Sequence, residues 1–379
     1  MNAGWKTVSL AEFVTLNYGK ALQKDERNPD GKVPVYGANG VYDWADRSLT
    51  TGPSLVIGRK GSAGEVTRVD GPFWPSDVTY FTTHDSKRID FNFLHYTLQV
   101  LNLPKLAKGV KPGINRNDVY GLSIPLPPLE EQRRIVAILD EAFEGLDRAH
   151  AHAEANLQYA RELFESKRRI LLTADSDSWT TSTLNEVCVV ERGSSPRPIK
   201  NFVTDSEDGV HWVKIGDTKV GSKYVTGTKE KITKKGAEKS RAVYVGDFIL
   251  TNSMTYGRPY IMGVDGYIHD GWFVLRLKEE IDSDFFFHLL SSTVVQDQFE
   301  RLAAGAVVKN ISGDLVKKAV LSFPPIGVQT AIASELDGIS YDVERIERAY
   351  TTKLQDLDDL RQSLLQKAFA GELTVREFA

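Results

Sequence analysis

The sequence predicts an α/β (α+β) globular domain present in two copies. Two long helices join the copies and close into an intramolecular antiparallel coiled coil, a pseudo-twofold tandem repeat. Three observations predict this. The junction LPPLEEQRRIVAILD (126–140) returns as FPPIGVQTAIASELD (323–337). Further matches follow one another in a single order before each junction. Each junction also opens an apolar stripe that no proline interrupts.

The repeat begins near the N-terminus, where Trp5, Thr7, Leu10, Glu12 and Gly19 recur as Trp179, Thr181, Leu184, Glu186 and Gly193. VIGRKGSAG (56–64) aligns with ILTNSMTYG (249–257), and WPSDVTYF (74–81) with IHDGWFVL (268–275). Phe93-Leu94-His95 meets Phe286-Phe287-His288, and Gly109 and Asp118 meet Gly305 and Asp314. Pro127, Pro128, Gln132, Ile135, Leu139 and Asp140 return as Pro324, Pro325, Gln329, Ile332, Leu336 and Asp337. This many matches in one order mark a duplicated structural unit. The expected segments are a first globular domain over 1–125, a helical spacer over 126–174, a second globular domain over 175–321 and a second spacer over 322–379.

Within each globular part the elements are short. TVSLAEFVTL, VPVYG, SLVIG, VTYFTT and LSIPL are β-rich runs separated by Gly, Pro and Asn turns,. Residues 91–101 and 284–299 read as helices. The loops YGANG (36–40), GRKGSAGE (58–65) and KGVKPGINRND (108–118) bring glycine together with Arg, Lys, Asn and Ser, as do NSMTYGR (252–258) and GAVVKNISGD (305–314). Such loops can carry backbone amides and forked donors close to phosphates or base edges.

Proline suits the first turn of a helix, and Glu130 and Glu131 then favour its positive end. In the first spacer Val136, Leu139, Phe143, Leu146, Ala153, Leu157, Ala160, Phe164 and Leu171 fall at alternating three and four spacings, with His150 and Lys167 in the remaining seam positions. In the second, Ile332, Leu336, Ile339, Val343, Ile346, Tyr350, Leu357, Leu360 and Leu364 repeat the stripe around Lys353. At a rise of about 1.5 Å per residue such a rod outreaches a domain of about 120 residues, so its cheapest partner is the other rod. An antiparallel pair with one globular part before each rod would act as a ruler.

Composition excludes several classes. The single cysteine, Cys188, rules out an internal disulfide framework and a multi-cysteine metal site, and fits a cytoplasmic protein,. The N-terminal MNAGWKTVSL has no apolar run for a signal peptide, so neither export nor membrane insertion is expected,. The net charge of −4 hides an uneven distribution. Lys and Arg outnumber Asp and Glu by 15 to 12 in residues 1–121, but are outnumbered 9 to 7 in 122–174, 20 to 19 in 175–320 and 10 to 6 in 321–379. The acidity lies mainly in the helical segments, which leaves the globular segments to meet any nucleic acid. No phosphate loop, HExxH or Gly-x-Ser-x-Gly elbow is present,. His150 and His152 would point to different helix faces, GDTK (216–219) lacks a convincing upstream acidic partner for a nuclease site, and NPDG (28–31) is not an amino-methyltransferase motif.

The order of globular domain, PLPPLEEQRRIVAILD, second globular domain and closing QKAFAGEL, with VYGANG and GRKGSAGEV in the first unit, resembles the specificity subunit of type I restriction-modification systems. The likeness covers essentially the whole chain, although Gly327 and Val328 stand where that family often has acidic residues. It implies a non-catalytic subunit whose two target recognition domains read the two halves of a bipartite site on double-stranded DNA. The helices would set the spacing and dock two modification (methyltransferase) subunits. Those partners would carry S-adenosylmethionine and methylate adenine, and a restriction subunit using ATP and Mg could join them, so this chain itself is expected to bind no cofactor and no metal.

Candidate DNA contacts follow from loop and residue type. In the first domain they are Asn39, Arg59, Lys60, Ser62, Lys111, Asn115 and Arg116. In the second they are Lys214, Asn252, Ser253, Tyr256, Arg258, Lys309 and Asn310, with KEKITKKGAEKSR (229–241) steering phosphates,. A second class has the same architecture: a coiled-coil adaptor or inhibitor that holds two protein ligands and never touches DNA.

Overall fold

The computed structural model describes residues 5–174, 176–219, 221–252, 257–303 and 311–373. The chain divides into two compact units, Met1–Glu154 with Thr351–Ala379, and Ala155–Tyr350. The division cuts both long helices, Leu129–Thr173 and Ile326–Ala370, so each unit contains a globular part and a stretch of each helix.

In the first unit, Lys6–Ser9 pairs antiparallel with Ser123–Leu126, the strand that leads into the first junction. The chain then turns through Leu10–Glu12, where the Ser9 hydroxyl accepts from the turn and Glu12 accepts the Ser9 N–H at 3.1 Å. This capping box is the physical reason for Glu12 in the repeat. A four-stranded antiparallel sheet follows in the order Val14–Tyr18, Thr79–His84, Ser54–Gly58, Val66–Val69. A three-stranded sheet orders Gly40–Ala45, Val33–Gly37 and Trp74–Pro75. The helix Phe91–Val100 starts at Asp90, whose side chain accepts the N–H groups of Asn92 and Phe93. Leu16, Leu55, Ile57, Phe93 and Leu94 share one buried cluster with Ile135, Val136, Leu139, Phe143, Leu365 and Phe369. The globular part and its stretch of helix pair therefore have a common core.

The second unit repeats these devices. Thr180–Thr183 pairs with Val320–Phe323, and Glu186 accepts the Thr183 N–H at 2.6 Å. One five-stranded sheet orders Cys188–Arg192, Trp272–Leu277, Phe248–Thr251, Pro259–Met262 and Tyr224–Val225. The other orders Val203–Thr204, Glu230–Ile232, Val210–Val213, Gly266–Ile268 and Arg241–Val243. Leu184, Phe248, Phe285, Phe286, Ile332 and Leu336 lie in one core cluster. Cys188 is buried in it, and burial pushes its thiol up to about 12; the thiol is a packing group.

Inside each unit the helices run antiparallel. In the second, Asn156 bonds Tyr350, Arg161 pairs with Glu347 at 2.6 Å and Lys167 with Glu335 at 2.7 Å, so the partner number falls as the first rises. In the first, Arg361 pairs with Asp147. Val136, Leu139, Phe143, Ile332 and Leu336 are buried. Leu146, Leu157, Phe164, Ile339, Val343, Leu357 and Leu364 are half-buried.

The structure departs from the sequence reading in three places. Ile346 and Leu360 are 36% and 47% exposed. Beside Leu360, Arg361 turns inward with its guanidinium carbon 4.4 Å over the Phe143 ring, and Leu365 fills the core. A straight helix drifts about 20° per heptad from a strict seven-residue stripe, which rotates such positions out. Residues 284–299 are not one helix: Ser283–Ser291 and Thr293–Ala303 meet at Ser292, whose backbone is extended (φ −71°, ψ 150°). The repeat register also shifts by one. Tyr96, not His95, corresponds to His288, because Asp90 and Asp282 cap the two helices equivalently. Likewise Thr79 corresponds to Trp272: the N–H of Gly19 donates to Thr79 O at 3.1 Å and that of Gly193 to Trp272 O at 2.8 Å.

Candidate nucleic-acid interface

Two glycine-closed loops organise the first unit's polar face. The loop 58–64 is closed by the Gly64 N–H donating to Gly58 O at 2.8 Å, with Gly64 at φ +92°, a region open to glycine,. The segment 108–113 is closed by paired bonds between Lys108 and Gly113 of 3.0 and 3.1 Å. The two are tied together where Gly61 donates to Pro112 O at 3.2 Å and Ile114 to Arg59 O at 3.0 Å. Residues far apart in sequence thus present one surface.

Lys60 and Lys111 are exposed on these loops. Arg59 donates from Nε and Nη2 to Asp77 O at 3.2 and 2.7 Å. Asn115 caps the short helix Arg116–Tyr120, its side chain accepting from the Asn117 N–H at 2.9 Å. Arg116, the first residue of that helix, lies with its guanidinium carbon 5.1 Å over the Tyr18 ring, and Arg59 lies 5.5 Å over the same ring. Asn39, Lys60 and Ser62 line one open pocket of about 560 Å³ with Tyr42 and Asp77. The fold therefore gathers the first unit's candidates on neighbouring loops.

The second unit disperses its candidates. Lys214 is ion-paired with Glu230, and its N–H donates to Asp217 at 2.8 Å. Asn252 is buried and donates from Nδ2 to Asp270 O at 2.7 Å. Arg258 lines a cavity of about 700 Å³ with Arg161, Arg168, His288 and Gln296. Ser253, Tyr256, Lys309 and Asn310 lie outside the described residues. Within 229–241, Lys229, Lys234, Lys235 and Lys239 are exposed. Among the described residues, no group of three His, Cys, Asp or Glu side chains could hold a metal ion, and no helix is long and apolar enough to cross a membrane.

The same backbone frame underlies both faces. Gly257, at φ +85°, donates to Thr251 O at 2.7 Å, as Gly64 does to Gly58. Asn252 occupies the place of Arg59: its N–H donates to Gly271 O where Arg59 donates to Val78 O, and its carbonyl accepts from Ile311 where Arg59 accepts from Ile114. One scaffold thus carries different side chains.

A family model described as the type I restriction modification DNA specificity domain matches residues 2–157 and 176–354. The chain belongs to that family. Each matched stretch of the specificity-domain model covers one copy of the repeat. A putative type I restriction enzyme specificity subunit of Haemophilus influenzae is 25% identical over 345 residues, spanning 88% of this chain and 86% of that protein. The EcoDI specificity subunit of Escherichia coli is 21% identical over 413 residues, spanning 98% and 89%. A solved chain from work on complex assembly and conformational transition of the type I R-M system superposes with a TM-score of 0.79 at 19% identity, covering 98% of this chain and 99% of that one. The HsdS subunit from Thermoanaerobacter tengcongensis gives 0.55 at 18% identity, with 98% of both chains covered. These two show the shared fold. Membership in the specificity-domain family lends no support to the protein-only adaptor or inhibitor.

Sequence reasoning missed two residues on the specificity domains' polar faces. Tyr18 underlies both candidate arginines of the first unit, Arg59 and Arg116. Its counterpart Arg192 donates from Nε to Asp270 O at 3.2 Å. Each directly precedes a glycine that the repeat pairs, Gly19 and Gly193, and that placement was the available signal.

Proposed function

We propose that the chain is the DNA sequence-reading subunit of a type I restriction-modification complex. The first unit reads one half of a bipartite target and the second unit reads the other. The observation that carries this reading is the repeated loop closure with Arg59 in one copy and Asn252 in the other. Two copies of one scaffold with unlike side chains suit two unlike half-sites. Arginine is matched to guanine O6 and N7 or to phosphate, whereas Asn252 is buried and spends its amide on Asp270 O, so the second face must read with other side chains.

The two helices set the separation of the half-sites and offer their outward faces to two modification subunits. Tyr159, Leu163 and Ile170 are exposed apolar residues on the first helix and support a protein partner there. Methyl transfer to adenine, with S-adenosylmethionine, is the work of those partners, and a restriction subunit would bring ATP and Mg. This chain binds none of these cofactors and works in the cytoplasm beside the DNA. Half-sites read on one face of the duplex lie about one helical turn apart, so an unread spacer of several base pairs separates them. The chain's net negative charge is tolerable if partner subunits supply much of the phosphate contact.

Mapping methylated adenines in DNA from cells with and without this chain tests the proposal. One asymmetric two-part motif that appears only with the chain is expected. Methylation that does not depend on the chain would overturn it.

A further inference from the structure

In the first unit's globular part, Arg27, Arg47, Arg68 and Arg88 each have a carboxylate partner. Among the described residues Arg59 and Arg116 have none; instead their guanidinium carbons lie 5.5 and 5.1 Å over the ring of Tyr18. That ring is half-exposed at the end of the strand Val14–Tyr18. It is braced by Tyr80, edge to face at 5.1 Å. Tyr80 is buried and donates from its hydroxyl to Ile114 O at 3.2 Å, while Ile114 donates to Arg59 O at 3.0 Å. The circuit fixes both arginine-bearing segments against one aromatic face. Two like charges held there without a carboxylate leave room for an acceptor from outside.

We propose that Tyr18 is a positioning residue, holding Arg59 and Arg116 as a paired guanidinium site for an acceptor edge of duplex DNA, either a backbone phosphate or guanine O6 and N7. The inference rests on the DNA-reading function above. Arg59 spends Nε and one Nη2 hydrogen on Asp77 O, which fixes the fork and leaves its outer edge for the ligand,. The second unit lacks the device, since Arg192 replaces Tyr18 and Asn252 replaces Arg59, both donating to Asp270 O.

The test uses the assembled complex with its modification subunits, titrated over a range of salt with a duplex carrying the mapped site and with a scrambled duplex. Tyr18→Thr keeps a strand-forming residue and removes the ring; Tyr18→Val serves if that variant melts early. Site affinity should fall roughly five- to twentyfold for Tyr18→Thr and stay within about twofold for Tyr18→Phe, which keeps the ring. In an Arg59→Ala/Arg116→Ala background the Tyr18 change should add nothing. An equal loss on both duplexes, with the salt slope reduced by about one, identifies a phosphate; a loss confined to the site identifies guanine. Unchanged affinity for Tyr18→Thr, equal damage from Tyr18→Phe, or additivity with the arginine variants overturns the inference alone. A wild-type complex with no preference for the mapped site overturns the DNA reading and this inference with it.

Discussion

The side chain of Gln132 accepts the backbone N–H of Asp90 at 2.8 Å, fastening the start of the first long helix to the cap of the helix Phe91–Val100. Its amide also donates to Arg88 O at 2.9 Å and Pro127 O at 2.8 Å. Gln329 does the same work in the second unit, accepting from Asp282 at 3.0 Å and donating to Pro324 O at 2.9 Å. Both glutamines are buried. Each junction is thus a clamp that orients a long helix against its own globular domain.

Gln132→Leu would take from the part-buried Asp90 N–H its acceptor and from the Arg88 and Pro127 carbonyls a donor each. The expected loss is about 2–4 kcal/mol, read as a lower urea midpoint, and Gln329→Leu should weaken the second unit comparably.

Gly19 and Gly193 mark a close approach. A Cβ on Gly19 would stand 2.1 Å from Ser76 O, and one on Gly193 2.0 Å from His269 O. Both obstacles are backbone, so Gly19→Ala or Gly193→Ala should cost roughly 3 kcal/mol or more, seen as early melting of the unit concerned.

Arg361→Ala removes the stacking on Phe143 and the pairing with Asp147. The side chain is partly exposed, so solvent screens the ion pair and the expected cost is about 1 kcal/mol. A double-mutant cycle with Phe143→Leu measures how much of it belongs to the ring.

Burial holds the His288 imidazole below its ordinary range, against the pull of Asp337 2.7 Å from Nε2. Among the described residues Nδ1 is buried without a partner, so a proton added there has no acceptor,. The unfolded chain therefore binds that proton first. Stability is complete above about pH 6.5 and falls as pH drops toward the lower folded value. Urea midpoints of the wild type should decline through this window more steeply than those of His288→Gln. Tyr96, the first unit's counterpart, bonds Asp140, and burial pushes its hydroxyl up, away from this window.

Lys60 and Lys111 are exposed on adjoining loops. Lys60→Ala/Lys111→Ala should weaken binding of the complex to all duplexes alike and lower the salt slope by about two, with melting unchanged. A loss confined to one sequence would instead make them base contacts.

Much of the frame was legible because its signals are local or recur at matched places. The capping boxes at Glu12 and Glu186 and the prolines ahead of each helix have short-range causes, and duplication displays each cause twice, whereas the paired glycines show only as a repeat, because the backbone each one meets is distant in the chain. The candidate site was legible only as residue types on loops. Whether Lys60 is exposed while Asn252 is buried depends on what packs against each loop, and no spacing encodes that.

By itself the sequence determined that the chain is a doubled unit with two long amphipathic helices, since periodicity sets the face an element must bury. Tertiary structure decided that Tyr96 rather than His95 answers to His288, that Arg361 turns inward where Leu360 stays exposed, and that Tyr18 lies beneath Arg59 and Arg116. Those outcomes depend on where loops close and which way side chains lean. Both are settled by contacts between residues distant in the chain, which a local pattern cannot specify.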